Sequence, residues 1–112
     1  NRMLAEKLLE DLGCRVDVAE DGIEAVERAL GASYSLIFMD CHMPRMDGFT
    51  ATSRIRERER ASGRHTPIVA LTAGVTPEER AQCLAVGMDD FVAKPIVIAT
   101  LTACLRRWTP LA

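Results

Sequence analysis

Three short apolar runs, each stopped by one chemically capable residue, constrain this chain more than anything else in it. Leu36–Ile37–Phe38–Met39 stops at Asp40, Ile68–Val69–Ala70–Leu71 stops at Thr72, and Phe91–Val92–Ala93 runs into Lys94–Pro95. An unbroken apolar run of this length marks a strand covered on both faces. The segments around them carry helical spacing instead. Leu4, Leu8 and Leu12 are closed by Gly13, and Ile23, Val26 and Leu30 by Gly31. Ala51 and Ile55 face inward from a helix starting near Gly48, which turns highly charged through Arg60 before the breakers Ser62–Gly63 and Pro67. Ala81, Leu84, Ala85 and Met88 repeat at i, i+3, i+4, i+7 behind a capping box, Thr76–Pro77–Glu78–Glu79. Leu101, Cys104, Leu105 and Trp108 do the same near the end, and Arg15–Ala19 alternates like a further short strand. The order α-β-α-β-α-β-α-β-α predicts an α/β fold, a doubly wound parallel sheet covered by helices on both faces. Ligands of such sheets sit outside the carboxyl ends of the strands. That directs attention to Glu20–Asp21, Asp40, Thr72 and Lys94.

Composition narrows the function. The 112 residues suit one domain. A net charge of −2 and 4% aromatic residues speak against direct nucleic-acid binding, which wants a basic surface or stacking platforms. Cys14, Cys41, Cys83 and Cys104 are widely and irregularly spaced, and His42 and His65 complete no zinc pattern. The cysteines read as reduced core residues of an intracellular protein. No apolar run is long enough to cross a bilayer. Arg2, Glu6 and Lys7 stand at helical spacing where a signal peptide would be apolar. The expected setting is cytoplasmic, without membrane contact by this domain; any membrane anchor belongs to the rest of a parent protein.

Asp40 is the sharpest chemical signal. A carboxylate at the rim of a buried sheet is a potential nucleophile, and phosphoryl groups are a known target of aspartate. A strand-ending aspartate that merely caps a loop is the plain alternative. Lys94 adds weight, because the chain has 12 arginines and only two lysines, Lys7 and Lys94. A lysine after the last strand suggests that a compact ammonium was needed, to pair with Asp40 or to hold a phosphoryl oxygen. Thr72 brings a hydroxyl to the same rim. Carboxylate, hydroxyl and ammonium at the ends of successive strands outweigh each residue alone.

These residues lie in segments that resemble a known family. Phe38–Met39–Asp40–Cys41–His42–Met43–Pro44–Arg45–Met46–Asp47–Gly48 is similar to the phosphoacceptor motif of receiver domains, the response-regulator domains of two-component signalling. Residues 68–73 and 87–95 resemble the two later motifs, in order and correctly spaced, and the wording is most like receivers of hybrid histidine kinases or phosphorelays. The resemblance implies a flavodoxin-like sheet of order 2-1-3-4-5. It implies that Asp40 accepts phosphate from a phosphohistidine of a histidine kinase or histidine phosphotransfer domain. Lys94 would bind a phosphoryl oxygen, and Thr72 and Phe91 would switch together. Ala73 would leave access to the site. Mg2+ would be held by Asp40 and the backbone carbonyl of His42. By the same resemblance the chain would be no conventional enzyme beyond magnesium-dependent phosphorylation and dephosphorylation of itself at Asp40, and its parent protein would be a hybrid histidine kinase.

The chain departs from the family at its start. Receivers begin with a strand ending in an acidic pair that holds magnesium, and no such pair precedes Asn1. The expectation is one receiver domain over residues 1–112 that lacks the first strand, with a degenerate, weakly metal-binding receiver as the alternative. Glu20–Asp21 cannot substitute, because two strand spacings, roughly 9–10 Å, exceed any shared coordination at about 2.1 Å. Two other readings stay open. One is a pseudo-receiver, an interaction module that takes no phosphate. The other is a small flavodoxin-like enzyme or cofactor binder, which the lack of a Gly-rich phosphate loop weakens. Among the remaining residues, Asp47 reads as a helix cap, Asp89–Asp90 as a turn, and Cys41 as packed behind the loop. Arg54, Arg56, Arg58, Arg60 and Arg64, interrupted by Glu57 and Glu59, read as a solvated helix end.

Overall fold

Three polar side chains start helices by accepting a backbone N–H three residues on. Asp21 Oδ1 accepts from Glu24 N at 2.9 Å, Asp47 Oδ1 from Thr50 N at 2.8 Å, and Thr76 Oγ1 from Glu79 N at 3.1 Å. Gly63 at φ 74° and Gly87 at φ 98° end two of these helices in the left-handed conformation that a side chain disfavours. The elements so bounded, in a computed structural model that describes Glu10 and residues 17–32, 34–42, 45–72, 76–94 and 97–108, run α1 (Gly22–Gly31), β1 (Ile37–Asp40), α2 (Gly48–Ser62), β2 (Ile68–Thr72), α3 (Pro77–Val86), β3 (Asp90–Ala93) and α4 (Ile98–Trp108). Glu10 is helical; the other residues of the expected first helix lie outside those described, as do Cys14, Ala73 and Pro95.

The described strands form a parallel sheet of order β1-β2-β3. Asp40 is in register with Leu71, and Thr72 with Ala93. Side chains alternate strictly across it. Ile37 and Met39, Ile68 and Ala70, and Phe91 face a core completed by Ala51 and Ile55 of α2, Cys83 of α3 and Ala25, Val26 and Ala29 of α1. Phe38, Val69, Leu71 and Val92 face a second core completed by Leu101 and Cys104 of α4. Helices thus cover both faces, as the alternating order predicts. The central strand β2 is buried along its whole length. β1 is less so, since only Met39 is fully buried; it has one described strand neighbour where β2 has two.

Three expectations are corrected. Residues 17–19, expected in a strand, are not in one, and Arg15 and Val16 lie outside the described residues. Among the described residues no strand pairs with that segment, and a strand without a neighbour has no ladder. Of the apolar stripe Ala81, Leu84, Ala85 and Met88, only Met88, just past the end of α3, is buried. Leu84 is 65% exposed, Ala81 and Ala85 are exposed, and Cys83 is the buried residue of α3 itself. Lastly, Arg56 and Glu59 are not solvated. Arg56 is only 8% exposed and makes four hydrogen bonds, to Gly87 O, Thr66 O, Glu59 Oε1 and Asp89 Oδ2.

Candidate functional site

The rim at the carboxyl ends of the strands is where chemistry gathers. Asp40 is the last residue of β1, and Lys94 directly follows β3. With β2 between them their backbones are about two strand spacings apart, roughly 9–10 Å. The four-carbon stem of Lys94 spans that gap, and Nζ donates to Asp40 Oδ2 at 2.9 Å. Lys94 is held at its root by a backbone bond from its N–H to Thr72 O at 2.7 Å. The other carboxylate oxygen, Oδ1, accepts the backbone N–H of His42 at 3.0 Å. Both partners are donors, so each oxygen of Asp40 is held in place while the side chain stays about one-third exposed.

The loop after β1 is held close beneath it. Gly48 N–H donates to Cys41 O at 3.1 Å, and a Cβ on Gly48 would lie 2.2 Å from the carbonyl oxygen of Asp40. Only glycine allows α2 to start this close to the acceptor strand. Arg45 turns the loop at φ 67° and pairs with Asp21 at 3.3 Å. Asp21 thus both caps α1 and pairs with Arg45. Cys41 is fully buried next to the site, and burial, then the neighbouring Cys83 thiol, pushes its own thiol up to about 12. The expectation that it packs behind the loop holds.

Of the sequence-predicted residues, Asp40 and Lys94 meet directly. Thr72 is at the same rim but 2% exposed, and its hydroxyl donates to Glu79 Oε1 on the first turn of α3. Phe91 is half-buried in β3, with the Arg80 guanidinium 4.7 Å from its ring centroid. His42 presents its amide to Asp40, while its imidazole is exposed, with Nε2 3.8 Å from the same Glu79 oxygen. Asp47 is the expected cap. Asp89 is more than a turn residue, since it accepts from Arg56, from the N–H of Ile68 and faces His65 Nε2 at 2.7 Å. Glu79 and Arg80 are what sequence reasoning missed. The capping box assigns Glu79 a bond back to its own helix start, but its side chain goes to Thr72 instead. The available signal was position: the first turn after β2 has to overlie the rim where β2 ends.

Magnesium takes hard oxygen donors and is commonly held by one or two carboxylates, with water and phosphoryl oxygens completing its shell. Asp40 offers one such carboxylate, each of whose oxygens has a lone pair beyond the hydrogen bond it accepts. Among the described residues no cluster of three or more ligating side chains exists. A single carboxylate with lone pairs to spare fits an ion whose other ligands include water and phosphoryl oxygens. A cavity of about 370 Å³ lined by Arg56, Arg60, His65 and Gly87 lies at the opposite, amino end of the sheet, remote from this carboxylate.

Comparison with known proteins agrees with this geometry. The sequence model of the response regulator receiver domain matches residues 1–106. Hybrid signal transduction histidine kinase B of Dictyostelium discoideum is 47% identical over 105 residues, which cover 86% of this chain and 5% of that protein. Across the first three curated relatives the chain spans 5% to 14% of their length. Among solved structures, the receiver domain of a sensor histidine kinase from Pseudomonas aeruginosa PAO1, with a magnesium ion coordinated in its active site cleft, superposes with a TM-score of 0.87 at 44% identity, covering 96% of this chain and 87% of that one. The receiver domain of a Saccharomyces cerevisiae response regulator, crystallised with its histidine phosphotransfer protein, gives 0.88 at 28% identity, covering 95% and 79%. No helix among the described residues is long and apolar enough to cross a membrane. With the fold, the rim pair and the three motifs on one continuous match, the chain belongs to the response regulator receiver domain family.

Proposed function

We propose that this domain accepts a phosphoryl group from a phosphohistidine onto Asp40 and thereby switches a partner or output surface. The observation that carries the reading is the Lys94 Nζ–Asp40 Oδ2 bond of 2.9 Å, made across an intervening strand by one of only two lysines in the chain. In the transfer the N–P bond of the donor breaks and an Oδ–P bond forms. The imidazole keeps the bonding electron pair and later takes up a proton, and Asp40 becomes an acyl phosphate. Asp40 and the incoming group are both anions, so the residues around them have to offset repulsion and align the approach. Lys94 is placed to follow a phosphoryl oxygen as its charge is shared with the carboxylate, and the His42 N–H fixes the carboxylate plane. Asp40 and the His42 backbone carbonyl would hold Mg2+, which supplies further charge neutralisation when bound.

The phosphodonor is a histidine kinase or histidine phosphotransfer domain, by likeness to the yeast receiver crystallised with such a protein. Likeness to a hybrid signal transduction histidine kinase supports reading the parent protein as a hybrid histidine kinase. Free thiols at Cys41, Cys83 and Cys104 suit a cytoplasmic compartment. Incubating the intact protein with Mg2+ and acetyl phosphate is expected to give a hydroxylamine-sensitive label on Asp40. Asp40→Asn loses it, and Lys94→Ala lowers its yield. Labelling that survives Asp40→Asn overturns the assignment.

A further inference from the structure

We propose that Glu79 is a positioning residue that withholds the Thr72 hydroxyl from the phosphoryl group and so sets how readily the domain enters its phosphorylated conformation. The proposal rests on the reading of Asp40 as phosphoacceptor. Thr72 has one hydroxyl proton, and that proton is donated to Glu79 Oε1. It cannot be donated to a phosphoryl oxygen at the same time. Thr72 is 2% exposed, so water does not compete for the bond, and an ionised acceptor makes it stronger than a neutral pair. Glu79 is itself fixed, because its N–H donates to Thr76 Oγ1 at 3.1 Å in the helix cap.

The next residue reinforces the same state. Arg80 caps the ring of Phe91 at 4.7 Å, a cation–π contact that favours the ring where it lies. Consecutive residues on the first turn of α3 therefore hold both switch side chains. The same Glu79 oxygen lies 3.8 Å from Nε2 of His42, whose N–H holds Asp40. Glu79 thus sits between the end of β2 and the loop after β1, beside the site without touching the reacting carboxylate. A phosphoryl group recruits Thr72 only by outcompeting this carboxylate, and that differential is what a ligand must supply to shift a two-state equilibrium.

The test is a calorimetric titration of the intact protein with beryllium fluoride, a tetrahedral phosphoryl mimic, in the presence of Mg2+. Glu79→Ala is expected to tighten binding about tenfold, the worth of a charge-assisted hydrogen bond. Glu79→Gln falls between, because its amide oxygen still accepts the bond without the charge. In a Thr72→Ala background Glu79→Ala changes nothing, an outcome that a general structural role for Glu79 does not produce. Unchanged binding in Glu79→Ala, or equal tightening with and without Thr72, overturns the proposal and leaves the acceptor reading standing. Wild-type protein that binds no beryllium fluoride, or binds it equally as Asp40→Asn, removes the acceptor reading and this proposal with it.

Discussion

Cys41 stands beside the proposed acceptor and shows how much a single residue's surroundings decide. Its spacing in the sequence allows either a reactive thiol or a packed one, and burial decides for the second. With its thiol pushed up to about 12 by burial and the Cys83 thiol, almost no thiolate exists near neutral pH. Cys104 is pushed up to about 11, again chiefly by burial. The expected outcome is that iodoacetamide at pH 8 leaves Cys41 unmodified in the native protein and alkylates it once the protein is unfolded in urea. Peptide mass spectrometry reads this site by site, and native Cys41 reacting at the unfolded rate contradicts the packing described. Asp40 and Lys94 were legible at this scale because a charged residue directly after an apolar run has few places to be except the rim. The Glu79 contact was not, because nothing local says which way a glutamate side chain leaves a helix cap.

At the scale of elements, glycines show where backbone meets backbone. Gly48 begins α2 so close to β1 that a methyl group there would strike the carbonyl of Asp40 at 2.2 Å, whereas one on Gly31, at the end of α1, meets nothing within 4 Å. Gly48→Ala should therefore destabilise by about 1–3 kcal/mol and reduce acetyl phosphate labelling of Asp40. Gly31→Ala should leave labelling intact and stabilise by up to about 1 kcal/mol. Urea midpoints and the labelling assay separate the two, and equal effects from both would sink the close-approach argument. Helix limits were readable from Gly31, Asp47, Gly63 and Thr76, since caps act on their own turn, whereas the cap at Asp21 was not. Nor was the buried face of α3. Its apolar residues lie on more than one side, so which side is covered depends on what α2 and the sheet present to it, and Cys83 goes inward while Leu84 stays 65% exposed.

Across the whole molecule, Arg56 ties α2 to the segment before β2 and to the turns that lead into β3. Its partners Glu59, Thr66, Gly87 and Asp89 come from separate stretches of chain, and Asp89 in turn holds the N–H of Ile68. Removing the guanidinium leaves two partly or fully buried carboxylates without their cation, so Arg56→Ala should cost about 3–5 kcal/mol, read from the urea midpoint. Burial pushes the Glu59 carboxyl up, but hydrogen bonds from Thr66 and Arg56 outweigh it and hold it below its usual range. A depressed carboxyl contributes stability above its unfolded value, near about 4.3, and loses it as the pH falls through the lower, folded value. The urea midpoint of the wild type should thus fall as the solution is acidified from pH 6 through that window, and Glu59→Gln should flatten the fall. An identical acid slope in both proteins would contradict this account. The order of elements from α1 onward, most ends of the helices, the two-faced burial of β2 and the rim residues Asp40, Thr72 and Lys94 follow from the chain alone, because periodicity, caps and apolar runs act over a few neighbouring residues. Tertiary structure alone decided that Arg56 is buried, that α3 turns Cys83 inward, and that the Thr72 hydroxyl meets Glu79. Each of those depends on which groups distant segments bring within hydrogen-bonding or van der Waals reach, and that distance is not encoded in local spacing.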